Sequence, residues 1–209
     1  MMNIAFQKRR IKLKKSALVS VLLSSILLLS GCGIQSIPAS KNEVEAALAE
    51  VTNQYKRRAD LIPNLVKVVK GYAKHESDTL EKVVSARAKA TQTTIDPSNV
   101  TADQMAQFQQ AQGALSQALG RLMVVVERYP ELKANQNFME LQAQLEGSEN
   151  RITVARNRYI QTIKKYNNLV TVPPTSWTNS LFYHHEKLPQ WDVGASEKQT
   201  IEKAPEVDL

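Results

Sequence analysis

The sequence has a single cysteine, three histidines and few aromatic residues, 6% of its 209 positions. One cysteine excludes an intramolecular disulfide and a thiolate zinc site. His75-Glu76 would need a second histidine four residues on to form a zinc-protease helix, and position 79 is Thr. His184-His185 have no evident set of carboxylate or cysteine partners in the sequence. There is no G-x-S-x-G element and no phosphate loop. With no nucleophile or metal to build on, the expectation is a protein that is not an enzyme, with no cofactor and no small-molecule substrate. Acidic residues are absent before Cys32, where six Lys or Arg stand. Without those six, 21 basic residues face 20 acidic ones, a net of +1. The overall +7 therefore belongs to the N-terminal segment. A body so near neutral lacks the concentrated basic face that nucleic-acid binding needs, so no nucleic-acid partner is expected.

The N-terminal segment has the three-part plan of a secretory signal: basic residues 1–15, an apolar run over 17–29, then Leu29-Ser30-Gly31-Cys32. Those last four residues resemble a bacterial lipobox, which implies cleavage before Cys32 and acylation of its thiol. Two or three acyl chains, at about 0.8 kcal/mol per buried CH₂, hold a protein stably on a bilayer. The alternative is an uncleaved membrane anchor, since no residue from Ser16 to Ser40 is charged. Either reading leaves the basic end in the cytoplasm and the body outside it. The expected location is the cell membrane or outer membrane, and Gly33 in place of an Asp after the cysteine leans towards the outer one.

From residue 41 apolar side chains recur at helical spacing. A linker over 33–40 with Pro38 leads to Ser40 and Glu43, spaced as a capping box. Val44, Leu48, Val51, Tyr55, Ala59 and Ile62 form one stripe. Pro63 predicts a kink or break at 60–63, followed by a second helix to about Thr91 whose stripe is interrupted by a polar layer at Glu76 and Ser77. Asp96-Pro97-Ser98-Asn99 is a turn signal, and Thr101 with Gln104 repeats the capping-box spacing. The next helix carries Met105, Phe108, Gln112, Leu115, Leu119, Leu122, Val126 and Tyr129, and Pro130 ends it. Asn137 with Glu140 offers a cap for the last and most regular stripe, from Phe138 to Val170. Gly71, Gly113, Gly120 and Gly147 fall inside predicted helices, where close helix–helix contact is their usual reason. Pro173-Pro174 ends the last helix, and the tail holds both tryptophans, Trp177 and Trp191. A tail this apolar is expected to pack back along the bundle, with one short helix around 176–183. Docking to a partner or to lipid headgroups is the alternative.

Three ordered blocks carry a further resemblance. The first is Lys56-Arg57-Arg58-Ala59-Asp60-Leu61-Ile62-Pro63-Asn64-Leu65-Val66, continued by Val69-Lys70-Gly71-Tyr72-Ala73-Lys74-His75-Glu76 and by Ala86-Arg87. The second runs from Leu119-Gly120-Arg121-Leu122 through Glu127-Arg128-Tyr129-Pro130 to Asn135, with Asn137-Phe138. The third is Leu145-Glu146-Gly147-Ser148-Glu149-Asn150-Arg151-Ile152, with Ala155-Arg156 and Tyr159. Together they resemble the LemA family over about 41–171, and Ala204-Pro205-Glu206-Val207-Asp208-Leu209 at the end of the tail is also family-like. The resemblance implies an extracytoplasmic, membrane-tethered antiparallel helical bundle of bacteria with no established catalytic activity. Members are typically held by an N-terminal transmembrane helix, where this chain has a lipobox. Val172-Pro173-Pro174 stands where the family usually has a Phe-Pro element.

The expected fold is all-α: an elongated antiparallel bundle of three long helices, the first kinked or broken near Pro63, with an irregular C-terminal tail. The expected organisation is a signal peptide over 1–31, an acylated linker over 32–40, the bundle over 41–171 and a Pro/aromatic tail over 172–209. Arg57, Arg58 and Asp60 flank the expected kink, and Arg87, Glu127, Glu149, Arg151 and Arg156 sit beside apolar positions. These charges either fix helix register as ion pairs and caps or line a polar groove that receives a partner segment. The candidate partner-binding residues are Arg57, Arg58, Asp60, Asn64, His75 and Glu76, and the candidate lipidation site is Cys32. The expected function is a membrane-anchored envelope scaffold or adaptor acting through an unidentified envelope protein. The alternatives are an envelope hydrolase or its accessory subunit, with His75 and Glu76 as acid–base candidates, and a membrane-remodelling protein.

Overall fold

The computed structural model describes residues 2–191 by backbone and residues 34–191 by side chain; Cys32 and the 204–209 sequence lie outside the described side chains. It is all-α, with no strand among the described residues. In chain order the helices are α1 (Met2–Tyr72), α2 (Ser77–Gln92), α3 (Ala102–Val126), a single turn α4 (Pro130–Lys133), α5 (Gln136–Thr171) and the short α6 (Thr175–Thr178), which continues into a π-helical turn over Asn179–Tyr183. The chain forms two compact units. One comprises Glu43–Lys164 with the segment from Leu188 onward, and the other the chain up to Asn42 with Lys165–Lys187.

In the larger unit the predicted stripes are the core. Val44, Leu48, Val51, Tyr55, Ala59 and Ile62 are all buried, as are Leu65, Val69, Leu80, Val83, Leu115, Leu122, Phe138, Ile152 and Tyr159. Cross-helix hydrogen bonds give the directions. Ala59 pairs with Arg87, Ala90 with Gln112 and Glu76 with Tyr129, so α1, α2 and α3 alternate in direction. Tyr72 pairs with Asn135 and Arg58 with Glu149, so α5 runs antiparallel to α1. Each helix thus buries its apolar stripe against its neighbours, which is where most helical stability in a bundle arises.

Several boundaries differ from expectation. The helix does not break at 60–63. Pro63 has no N–H, which leaves the Ala59 carbonyl, four residues back, without its helical donor. Arg87 Nε donates to that carbonyl at 2.8 Å, and α1 continues to Tyr72. The break comes instead over Ala73–Glu76, where Glu76 and Ser77 are expected as a polar layer within a helix. Lys74 to Asp78 are five polar residues in a row, and Ser77 and Asp78 suit the first turn of a new helix. Residues 34–40, expected as a linker, are helical as well, so Ser40 lies within α1, buried, and is not a cap. The capping box at Thr101 and Gln104 is present in both directions, at 3.2 and 3.1 Å. The cap of α5 is Asn135, whose Oδ1 accepts from the Phe138 N–H at 3.1 Å, two residues before the expected Asn137. Pro130 does not simply end α3. It sits at the first position of α4, where a missing N–H costs nothing. The glycines do not mark close helix approach either. A Cβ at Gly71, Gly113 or Gly120 would meet nothing within 4 Å, and one at Gly147 would meet only the Arg151 guanidinium.

In the smaller unit Ile37, Ser40, Tyr166, Asn167, Val170 and Asn179 are buried. Asn179 fastens the π-helical turn. Its Nδ2 donates to the Val170 and His185 carbonyls at 3.3 and 2.9 Å, and its Oδ1 accepts from the His185 N–H at 3.0 Å. The Tyr183 hydroxyl donates to the Ile34 carbonyl at 2.7 Å. Ile34 lies four residues before Pro38, so this carbonyl also lacks its helical donor.

Candidate functional site

The charged signature on α1 divides between the interior and the surface. Arg58 is only 1% exposed. Its Nη1 donates to Glu149 Oε1 at 2.6 Å and Ser116 Oγ at 2.9 Å, and its Nη2 donates to Gln112 Oε1 at 2.8 Å and the Gln112 carbonyl at 3.3 Å. Gln112 in turn donates to the Ala90 carbonyl at 3.3 Å. One guanidinium therefore ties α1 to α3 and α5 directly, and to α2 through Gln112. An arginine fork suits this task because its five donors lie in one rigid plane. The guanidinium also stands 5.0 Å from the centre of the Tyr55 ring. Burial pushes the Tyr55 hydroxyl pKa up, and the Arg156 and Arg58 charges pull it back in part.

Beside this network lies an aromatic cluster. Tyr55 meets Phe108 edge-on at 5.2 Å. Trp191 stacks parallel to Tyr55 at 6.4 Å and meets Tyr159 edge-on at 6.1 Å. The Arg156 guanidinium lies 5.5 Å from the Trp191 ring centre. The residues around Trp191 thus pack back on the bundle, while residues 192–209 lie outside the described part. Tyr159 is fully buried, and its hydroxyl has no partner among the described residues. Burial raises its pKa strongly.

A cleft of about 500 Å³ opens between α1, the end of α2 with the loop after it, and α3. Tyr55, Phe108 and Gln112 line it from the core, and Lys56, Asp60 and Arg87 supply its charges. Thr52, Thr91, Thr93 and Thr94 add hydroxyls. Arg87 is engaged with the Ala59 carbonyl. Lys56 and Asp60, one helical turn apart and both exposed, make no side-chain hydrogen bond or ion pair with any described residue. A mixed lining of two cations, one anion and several hydroxyls over an aromatic floor suits an extended polypeptide segment better than a single small anion or cation.

The six residues singled out from the sequence do not converge. Asp60 is in this cleft, and Arg58 is spent in the interior beneath it. Arg57 is exposed elsewhere on α1. Asn64 lines a shallower hollow with Tyr72, Asn135 and Glu140. Glu76 is at the α1–α2 junction, where it accepts from Arg128 Nη2 at 2.8 Å and from the Tyr129 hydroxyl at 3.1 Å, while His75 is exposed beside it. Tyr129 is raised in pKa by burial and by that carboxylate. No three His, Cys, Asp or Glu side chains among the described residues converge on a point that would hold a metal ion. The roles of Gln112 and Arg87 were missed from the sequence. Their signals were a polar residue inside an otherwise apolar stripe and a proline whose displaced carbonyl needs a donor.

Comparison with known proteins gives the family. Protein LemA of Metamycoplasma hominis is 23% identical over 163 residues, which cover 78% of this chain and 68% of the relative. Its name carries no enzymatic activity. The LemA family model matches residues 47–209, which take in the Arg58 network, both sides of the cleft and Trp191, and the chain therefore belongs to the LemA family.

Proposed function

We propose that this chain is a membrane-anchored, extracytoplasmic helical scaffold or adaptor of the bacterial cell envelope, acting by protein contacts rather than by catalysis. The observation that carries the reading is the cleft over Arg58. Its floor is pinned at Gln112 by buried hydrogen bonds to Arg58 and Ala90, while the charges on its rim, Lys56 and Asp60, have no partner within the described chain. A rigid floor with unspent rim charges is how a docking groove achieves specificity at low ordering cost. The anchor in this proposal is Cys32, acylated after cleavage at residue 31, with the body outside the cytoplasm. The basic leader without acids and the lipobox-like Leu29-Ser30-Gly31-Cys32 support that part.

The test uses a photoreactive residue at position 60, introduced into the full chain in cells. The expected result is a crosslink to one envelope protein that disappears with Lys56→Glu, while the variant's thermal unfolding is unchanged. Crosslinks insensitive to Lys56→Glu, or none at all, would remove the groove from the proposal. Clickable fatty-acid labelling that persists in Cys32→Ala would remove the acyl anchor.

A further inference from the structure

The smaller unit displays an apolar patch that its own fold does not cover. Trp177, Leu181 and Phe182 are 68%, 71% and 60% exposed. In the larger unit the exposed large apolar residues, such as Val84, Val124 and Val154, are spread over three different helices. Here the three fall within six consecutive positions of one short turn, and at such exposure they project outward rather than line a hollow. Clustered exposure of this kind marks an interaction surface, whereas single exposed apolar residues do not.

The turn is held in place, and its tether gives it a direction. Asn179 fixes it to Val170 and His185, and Tyr183 fixes it to Ile34. Ile34 is itself 43% exposed. In sequence it stands two residues after Cys32 and five after Leu29, the last residue of the apolar leader run. Along α1 five residues span about 8 Å. The projecting tryptophan, leucine and phenylalanine are thus fastened to the part of the helix next to the leader. Among the residues of this unit described by side chain, Lys41, Lys165 and Lys187 outnumber Glu186. A tryptophan with bulky apolar neighbours, polar groups behind them and a basic fringe is the composition that prefers the headgroup layer of a bilayer.

We propose that the Thr175–Tyr183 turn seats Trp177, Leu181 and Phe182 in the headgroup layer of the bilayer in which the acylated Cys32 is anchored. This gives the chain a second membrane contact besides its anchor and fixes the orientation of the helix at its base. The inference rests on the membrane-anchor reading above.

The test reconstitutes the full chain into vesicles of phosphatidylcholine and phosphatidylglycerol, with or without bromine on the acyl chains near the headgroup. Trp191→Phe leaves Trp177 as the only tryptophan. The difference between wild type and Trp177→Phe reports the same residue without touching the Trp191 cluster. Brominated lipid is expected to quench Trp177 about threefold more than Trp191, whose ring packs against Tyr55 and Tyr159. If the chain floats with the vesicles while Trp177 is quenched by aqueous acrylamide and not by bromine, the seating is wrong and the anchor stands. If Trp177 is shielded from both quenchers, a protein surface covers the patch and the proposal is overturned. If the chain does not float with the vesicles, both the anchor and the seating are overturned.

Discussion

The two units of this protein meet the same chemical problem and answer it differently. Each contains one proline inside α1, Pro63 in the larger and Pro38 in the smaller, and each proline strands the carbonyl four residues before it. At Ala59 the donor is a charged guanidinium nitrogen from α2, partly buried and 2.8 Å away. At Ile34 it is a neutral phenol from an exposed turn, 2.7 Å away. The distances are alike, but the surroundings are not. A charged donor in a partly desolvated site is worth roughly twice a neutral one, and an exposed carbonyl that loses its donor simply takes a water. The larger unit accordingly spends its polar side chains on internal pins, and the smaller one keeps its turn in place by lighter bonds.

This contrast can be tested by substitution. The largest effect is expected at Arg58, which joins the four long helices of the larger unit, α2 through Gln112. Arg58→Ala should cost about 3 kcal/mol of unfolding free energy, because it empties a fully packed position and leaves the buried Gln112 Oε1 and the Glu149 carboxylate without their donor. Urea unfolding measures it, and a loss below about 1 kcal/mol would mean that the network contributes little beyond an exposed ion pair. Next come the two proline-linked donors. Arg87→Ala should cost about 2 kcal/mol, and much less once Pro63→Ala restores an N–H that can reach the Ala59 carbonyl. The matching cycle of Tyr183→Phe with Pro38→Ala should show a coupling of only about 0.5 kcal/mol, as suits an exposed bond. Equal couplings in the two cycles would erase the distinction between the units.

The smallest expected effect is a response to pH. Burial, followed by the Lys41 charge, holds the His185 pKa below its ordinary value of about 6.5. A depressed histidine pKa means that the folded turn disfavours the imidazolium. Its contribution is therefore present above about pH 6.5 and is lost as the pH falls through the lower folded value. Amide protection at His185, whose N–H is held by Asn179, should decrease between pH 7.5 and about pH 5, while protection at Val69 and Leu122 in the larger unit stays constant. His185→Gln should abolish the difference.

What the sequence determined by itself was periodic. Apolar side chains at steps of three and four specify which face of each helix is buried, because a helix repeats every 3.6 residues whatever surrounds it. The stripes from Val44 to Ile62, Met105 to Val126 and Phe138 to Val170 were legible for that reason, as was the Thr101–Gln104 capping box, which is complete within four residues. What only the tertiary structure decided was the fate of groups whose partners lie far along the chain. Pro63 looked like a break because its local cost is visible and its remedy, Arg87, is 24 positions away. The break over Ala73–Glu76 looked like a polar layer at Glu76 and Ser77 because Arg128 and Tyr129, which hold Glu76 there, come from the end of another helix. The candidate site follows the same rule: charge and aromatic content were visible in Arg58 and Asp60, but which of them faces inward and which remains free at the rim depends on α3 and α5 closing over one and not the other. A side chain's local preference is set by its neighbours in sequence, whereas its hydrogen-bond partners and its access to water are set by whatever else the fold brings alongside.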